Sequence, residues 1–231
     1  MSTTGGTVLG SLLRQYRVFL WPIGIVATVA AGLGLLVDVL TDRAVGSAWE
    51  HAGGPVRWVF IFGLAVTPAI LPTYLAHGIT RRTFTWAAAV AGGLLVLLLS
   101  AFLAVGFLVE RAVYAALDAA QTLDGPHLFT DPVQVHLVLA EYALLASGYF
   151  IAGWLVGSVY YRFGGWRGTL ALPLTAAPAL VVEALFGVGW FGDAVADGTA
   201  VAVLLAAAVV GLALVALRLL TRAVPVRPVR R

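Results

Sequence analysis

Long stretches without a charged side chain dominate the chain. Five runs of 20 residues or more contain no Asp, Glu or Arg: residues 18–37, 58–80, 83–109, 142–161 and 198–217. A sixth stretch, 168–192, is interrupted only by Glu183. About 20 apolar residues, at roughly 1.5 Å per residue, cross a hydrocarbon core of about 30 Å. Because lipid offers the backbone no hydrogen-bond partners, these runs predict helices rather than strands.

The pattern therefore predicts an all-α, polytopic integral membrane protein with six transmembrane helices. We expect these helices near residues 18–40, 57–77, 84–109, 134–161, 169–188 and 199–220. Only short loops and termini remain, so residues 1–231 are expected to form a single transmembrane domain. Residues 8–17 have helical amphipathic spacing and are expected to lie along the membrane surface. Residues 110–121 fit either a surface helix or a continuation of the third helix.

The Arg residues are distributed unevenly between alternate loops. If the N-terminus is cytoplasmic, 11 of the 14 basic residues fall inside and three fall outside. The inner set is Arg14, Arg17, Arg81, Arg82, Arg162, Arg167, Arg218, Arg222, Arg227, Arg230 and Arg231, and the outer set is Arg43, Arg57 and Arg111. Basic residues favour the cytoplasmic side, so both termini are predicted to be inside. The same assignment places Asp38, Asp42, Glu50, Glu110, Asp118, Asp124, Asp131, Asp193 and Asp197 outside.

The composition narrows the classes of function. Hydrophobic residues make up 61% of the chain and charged residues 11%, whereas soluble domains carry about 25% charged residues. This balance excludes a soluble enzyme and an ordinary nucleic-acid binder. The chain has no Cys and no Lys, which excludes a thiol nucleophile, a Cys-based metal site and a Walker-type phosphate loop. We therefore expect no enzymatic activity of its own, no catalytic residues, no metal and no cofactor.

Two carboxylates interrupt the predicted spans. Glu141 and Glu183 fall in the outer halves of the fourth and fifth helices. A charged side chain at mid-helix costs roughly 2.5–3.5 kcal/mol on insertion scales. Arg57 and Arg111, at outer helix ends, are candidate counter-ions. The two Glu are either structural, reaching the interface or an ion-pair partner, or they form a polar patch in a substrate route or a proton-linked gate.

Small residues and prolines mark where helices approach closely or bend. Ala88 and Gly92 in the third helix, and Gly153 and Gly157 in the fourth, have the four-residue spacing that lets helix backbones come together. We interpret these pairs mainly as packing seams and only secondarily as a dimer interface. The second and fifth helices carry two prolines each, which are either simply tolerated or mark helices that bend when the protein changes state: Pro68, Pro72, Pro173 and Pro178.

The inner loops carry the most specific sequence signal. The first reads Gly78-Ile79-Thr80-Arg81-Arg82-Thr83-Phe84, and the second reads Tyr161-Arg162-Phe163-Gly164-Gly165-Trp166-Arg167-Gly168. The first resembles the G-[IV]-[ST]-R-R-x-F stretch that follows the second helix of many bacterial type-2 ABC transporter permeases. The second, with one Gly inserted, is similar to a YRFGWRG stretch of small members of that family.

The resemblance implies a division of labour between polypeptides. In that family, six-helix subunits pair and associate with a cytoplasmic ATPase, and the loop after helix two seats on it. Carried over, this coupling role falls on Gly78, Thr80, Arg81, Arg82 and Phe84. The second cytoplasmic loop would contribute Arg162, Gly164, Trp166 and Arg167.

The expected protein is thus the permease subunit of an ABC-type exporter, a homo- or heterodimer in the bacterial cytoplasmic membrane. Its partners would be the ATPase and the lipid bilayer, and not nucleic acid. The alternative is a non-transporting membrane anchor, sensor or immunity protein that acts through a protein partner.

Overall fold

Six long, apolar helical segments run through the structure, as the hydropathy pattern predicts. The structure, a computed structural model, describes residues 3–41, 46–52, 54–118, 121–188 and 198–222. The segments that are long and apolar enough to cross a membrane are Gly5–Val37, Ala48–Ala76, Arg81–Ala116, Val135–Phe163, Gly165–Phe186 and Thr199–Arg222, numbered here as spans one to six. No strand occurs among the described residues. The architecture is therefore all-helical, with the length and composition of a membrane protein.

Span one is part of a single helix, α1 (Thr3–Thr41). Residues 8–17 continue into the span, so the expectation of a separate helix lying along the membrane surface is wrong. The reason is that the apolar face of this segment packs against the bundle: Val8, Leu12 and Tyr16 are buried. Tyr16 meets the ring of Phe62 edge-on, with the centroids 5.5 Å apart.

Span two is built from several helical types in succession. It comprises α2 (Ala48–Ala52), a 3₁₀ helix (Gly54–Trp58), α3 (Val59–Ala65), a π-helical turn (Val66–Ile70) and α4 (Leu71–Ala76). Pro68 lies inside the π turn, and Pro72 lies in the first turn of α4. A proline has no N–H to donate and crowds the preceding turn, which a widened turn relieves.

The other spans match their predicted positions closely. Span three is α5 (Arg81–Ala116), so residues 110–116 continue the third helix. Span four is α6 (Val135–Phe163), and span six is α9 (Thr199–Arg222). Span five comprises α7 (Gly165–Leu170) and α8 (Leu172–Phe186). Helix α6 is the centre of the bundle and packs against α3, α5, α8 and α9.

A seam of glycines joins spans two and four. A Cβ atom on Gly153 would collide with the carbonyl oxygen of Phe60, and one on Gly157 with that of Leu64. From the other side, a Cβ on Gly63 would collide with the carbonyl oxygen of Phe150. The two backbones are therefore in direct contact, which only glycine allows. The predicted seam is confirmed, and it is occupied within the chain.

The charged side chains separate the bundle into two ends. We call the end that holds Glu50, Glu110, Glu141 and Glu183 the acidic end, and the end that holds Arg81, Arg82, Arg162 and Arg167 the basic end. Spans two and four run in parallel, since Gly153 meets Phe60 and Gly157 meets Leu64, so the connections that follow these two spans lie at the same end. Several charges of the sequence prediction lie outside the described residues: Asp42, Arg43, Asp193, Asp197, Arg227, Arg230 and Arg231.

Candidate functional sites at the two ends of the bundle

A short, hydrogen-bonded turn connects spans two and three at the basic end. Gly78 has φ +78°, a left-handed conformation that glycine adopts without strain. The N–H of Ile79 donates to the carbonyl of Tyr74 at 3.1 Å, which closes the turn. Thr80 is the N-cap of α5, where its hydroxyl accepts from the N–H of Thr83 at 3.2 Å.

An aromatic contact fixes this turn to the bundle. Phe84 is fully buried, and its ring centroid lies 5.3 Å from that of Tyr74. Arg82, two residues earlier, is exposed, and Arg81 is half-buried. The turn therefore holds its guanidinium groups near the surface on a backbone whose conformation is set by a glycine, a cap and a buried anchor.

The second connection at the basic end ends α6 and begins α7. Gly164 has φ +83° and ψ 179°, a region open essentially to glycine alone. Arg162 folds back over the ring of Phe163, 4.9 Å from its centroid. Trp166 is 77% exposed, and Arg167 is also exposed. Arg162 thus braces the connection, while Trp166 and Arg167 face outward.

A buried carboxylate at the acidic end ties span three to the start of span two. Glu110 is 4% exposed, and its Oε1 accepts from the backbone N–H of Trp49 at 2.9 Å. Its Oε2 accepts from the hydroxyl of Ser47 and from the side-chain amide of Gln121. The indole of Trp49 in turn donates to the carbonyl of Leu103 at 2.9 Å. The carboxylate is thereby surrounded by donors, which offsets its desolvation.

A histidine from the loop between spans three and four lies between two carboxylates. The Nδ1 of His127 is 2.7 Å from Oε1 of Glu141, and its Nε2 is 3.3 Å from Oε1 of Glu50. Glu141 also accepts the N–H of Leu128 at 2.7 Å, and Glu50 accepts the N–H groups of Asp124 and Gly125. We call this arrangement the His127 clamp. It fastens the loop to spans two and four at once.

The His127 clamp is enclosed by aromatic rings. The imidazole stacks on the ring of Phe129, with the centroids 4.7 Å apart. The ring of Phe107 packs edge-on against that of Phe129. Burial disfavours the charged imidazole, but the hydrogen bond to Glu141, the close contact with Glu50 and the negative charges of both carboxylates outweigh the cost of burial. Together they raise the pKa of His127 from 6.5 to about 9. The clamp is therefore an ionic bridge at neutral pH.

The second carboxylate that interrupts a predicted span, Glu183, pairs with a cation of its own. Glu183 is 1% exposed, and its Oε1 accepts from Nε of Arg57 at 2.8 Å. The prediction that Arg57 is a counter-ion is confirmed. The other oxygen, Oε2, is buried and has no hydrogen-bond partner among the described residues. Each Glu of the predicted intramembrane pair thus has a separate basic partner.

The predicted role of Arg111 as a counter-ion for these glutamates is wrong. Its guanidinium pairs with Asp131 in the loop, and this contact lowers the pKa of the Asp131 carboxyl. The reason is distance along the helix: Arg111 lies near the end of α5, beside the loop rather than beside the buried half of α6. The Arg111–Asp131 pair is half-exposed at the rim of a cavity of about 690 Å³.

Sequence reasoning missed two polar groups within the bundle. His127 is not among the site residues predicted from the sequence, although a buried Glu141 needs a donor and the neighbouring Leu128 and Phe129 are apolar enough to fold inward. At the π turn, the hydroxyl of Thr67 is 2.7 Å from that of Ser158 and accepts from the indole of Trp154 at 3.0 Å. No sequence signal marked this buried group.

Among the described residues, no group of three or more His, Asp or Glu side chains is placed so that it could hold a metal ion. In the His127 clamp, the two ring nitrogens face different carboxylates. The histidine therefore bridges Glu50 and Glu141, and the three side chains do not point toward a common centre. Comparison with protein-family models, with curated proteins and with solved structures finds no match to this chain. The functional conclusion therefore depends on the residues themselves.

Proposed function

We propose that the chain is the membrane-spanning permease subunit of an exporter driven by a separate cytoplasmic ATPase. The observation that supports this most directly is the construction of the turn at residues 78–84. Gly78, Thr80 and Phe84 fix its backbone, while Arg82 remains exposed. A hydrogen-bonded turn that presents guanidinium groups is suited to bidentate contacts with carboxylates or backbone carbonyls on a partner.

The chain supplies no Lys for a nucleotide-binding loop, so the energy source must be another polypeptide. In this proposal the basic end faces the cytoplasm, and a second six-helix subunit completes the transporter in a bacterial cytoplasmic membrane. Reporter fusions at Gly5 and Arg231 test the orientation. Both are expected to report a cytoplasmic location, and an exterior signal from either would refute it.

The decisive experiment compares three forms of the turn. The wild type, an Arg81→Lys/Arg82→Lys variant and an Arg81→Ala/Arg82→Ala variant are affinity-purified from the native membrane. The measured quantities are the co-purified ATPase and the rate of ATP hydrolysis. The Ala pair should lose both, since truncating a hydrogen-bonded charge at a buried contact costs about 2–5 kcal/mol. The Lys pair keeps the positive charge and therefore the membrane orientation, but it loses the planar donor geometry of Arg. It should insert normally and weaken ATPase recovery, though less than the Ala pair does.

A matched pair on the same end of the bundle is the control. Arg14 and Arg17 are both exposed on α1, outside the turn. Replacing both with Ala removes the same charge and should leave ATPase recovery unchanged. If the Ala pair at the turn inserts normally and still recovers the ATPase, or if the wild type recovers none, the exporter proposal is wrong. The membrane anchor, sensor or immunity protein then becomes the better hypothesis.

A further inference from the structure

Two arginines near the start of span one face away from the bundle, on a helix whose rotation is fixed. Arg14 and Arg17 are both exposed on α1. The opposite face of the helix is anchored, since Leu12 is fully buried and the hydroxyl of Ser11 lies 2.6 Å from that of Tyr74. These contacts place the pair at the basic end and hold both guanidinium groups on the outer surface.

The position of the pair along α1 sets its depth in a bilayer. The charge-free run 18–37 is 20 residues long. As a helix it measures about 30 Å, which matches the thickness of the hydrocarbon core. Arg17 borders this run, and Arg14 lies one turn beyond it, a rise of about 4.5 Å. The headgroup layer adds roughly 5–7 Å on each side of the core, so both guanidinium groups lie at the depth of the lipid phosphates.

The same face of α1 continues into the hydrocarbon core as an apolar stripe. Val18, Trp21 and Ile25 follow Arg14 at intervals of three or four residues, so they share one face of the helix. Each of these three side chains is more than half exposed. Tryptophan is favoured where the core meets the headgroups. A phospholipid aligned with this face therefore meets arginine at its headgroup and apolar side chains along its acyl chains.

A small groove marks the position of the two arginines. It has a volume of about 260 Å³ and is lined by Leu13, Arg14 and Arg17. Neither guanidinium group has an ion-pair or hydrogen-bond partner in the part of the chain that the structure describes. Two planar guanidinium groups with free donors are suited to bidentate contacts with a phosphate. The groove is below the range of about 300–1,000 Å³ usual for whole small molecules, and it suits a single headgroup.

The charges around the groove favour a headgroup with a net negative charge. Within the described ranges, no Asp or Glu side chain lies at the basic end. A zwitterionic headgroup carries an ammonium group, which would find arginines here and no carboxylate. A phosphate without an ammonium group pairs with the arginines and avoids that repulsion. Basic pockets beside membrane helices recognise anionic headgroups on this principle.

We propose that this groove binds the headgroup of an anionic phospholipid. The phosphate accepts hydrogen bonds from Arg14 and Arg17, and an acyl chain lies along Val18, Trp21 and Ile25. The proposal requires that span one crosses a bilayer, but it does not depend on the cytoplasmic ATPase. Loss of the lipid and loss of the ATPase are separate outcomes, because the groove lining includes no residue of the turn at 78–84.

The test measures lipid binding to the purified full chain in dodecyl maltoside by native mass spectrometry. The probes are dioleoyl phosphatidylglycerol and dioleoyl phosphatidylcholine, which share their acyl chains and phosphate but differ in net charge. Soluble glycerol phosphate is added as a competitor, to distinguish a lipid site from a site for any phosphate ester.

Two pairs of substitutions are compared. Arg14→Ala/Arg17→Ala removes the proposed donors. Arg218→Ala/Arg222→Ala is the matched control, because these two arginines are also exposed, also border a charge-free run at the basic end and do not line the groove. Arg14→Lys/Arg17→Lys keeps the charge but loses the planar donors, so its affinity should fall between those of the wild type and the Ala pair. Thermal unfolding of each variant shows whether the fold is retained.

We expect the wild type to bind phosphatidylglycerol about tenfold or more tightly than phosphatidylcholine. Arg14→Ala/Arg17→Ala should weaken phosphatidylglycerol binding by about tenfold or more, because two charge-assisted contacts are lost. The control pair should leave it within about twofold, and glycerol phosphate should not displace the lipid. Equal binding of the two lipids, equal effects of the two Ala pairs, or displacement by glycerol phosphate would each overturn the proposal. Equal effects would assign the binding to general attraction by the basic surface.

Discussion

Arg57 and Glu183 form an ion pair whose two members differ sharply in their access to solvent. Nε of Arg57 and Oε1 of Glu183 are 2.8 Å apart, and the side chains are 39% and 1% exposed, respectively. The pair joins the 3₁₀ helix of span two to α8 in span five. The unequal exposure means that the two residues are not equivalent targets for substitution.

Replacing Arg57 should destabilise the protein more than replacing Glu183. Arg57→Gln leaves a carboxylate buried without its cation, and breaking a buried pair in this way typically costs about 3–5 kcal/mol. Glu183→Gln leaves an arginine that can turn toward solvent, so its cost should be about 1–2 kcal/mol. Thermal unfolding in detergent measures both.

The double variant completes this comparison. Arg57→Gln/Glu183→Gln should recover most of the loss caused by Arg57→Gln alone, because no buried charge remains. An Arg57→Gln variant as stable as wild type would show that Glu183 finds another partner. If Glu183 serves transport rather than folding, Glu183→Gln should impair export at a stability close to that of wild type.

The His127 clamp predicts a loss of stability at alkaline pH. The pKa of His127 is about 9 in the folded protein and 6.5 in the unfolded chain. The stabilisation is therefore fully present below pH 6.5 and is lost as the pH rises through about 9. Over this window the loss should be on the order of 3 kcal/mol. Hydrogen exchange of residues 121–134 at pH 6.5 and pH 9.5 measures the release of the loop.

His127→Gln should remove this pH dependence while lowering stability at pH 6.5. His136→Gln is the matched control, because His136 lies on the exposed side of the first turn of α6. It should leave the alkaline loss intact. An alkaline loss that persists in the His127→Gln variant would assign it to a different group.

The glycine seam predicts opposite effects for two Gly→Ala changes. Gly153→Ala places a methyl group against the carbonyl oxygen of Phe60, and overpacking of this kind costs about 1–3 kcal/mol. Gly93→Ala, in the middle of α5, meets open space and should be neutral or stabilise by up to about 1 kcal/mol. Thermal unfolding followed by circular dichroism distinguishes them. Equal effects would mean that the seam tolerates a wider separation of the helices.

The hydroxyl group of Thr67 should matter more than that of Ser158. Thr67→Val leaves the buried indole N–H of Trp154 without its acceptor and should cost about 1–3 kcal/mol. Ser158→Ala removes one contact to Thr67 but keeps the indole bond, so it should cost about 1 kcal/mol or less. Thermal unfolding measures both changes. The reverse order would contradict the assignment of Thr67 as the central acceptor.

The positions of the spans were predictable because charge-free length sets them. Span four was expected near 134–161 and is found at Val135–Phe163. The start of α1 was not, because Arg14 and Arg17 made the first segment look interfacial. Its tertiary contacts, such as that of Tyr16 with Phe62, show that this segment belongs to the bundle.

The candidate sites also differ in how far the sequence predicts them. The turn at Gly78 and Thr80 was predictable, because a glycine at a turn and a threonine at a helix N-cap are local features of the sequence. The His127 clamp was not, because its two carboxylates come from residues 50 and 141, on different spans. Pairing across such distances along the chain is decided by packing, which neither periodicity nor charge count reveals.

The glycine seam also sets the order in which the protein can be assembled during synthesis. Gly63 finds its partner only when the backbone around Phe150 has been made, and the whole of span three is translated in between. Span two, with its 3₁₀ and π-helical turns, is therefore complete before the surface that it fits has been made. A nascent chain that stops before residue 135 lacks that surface.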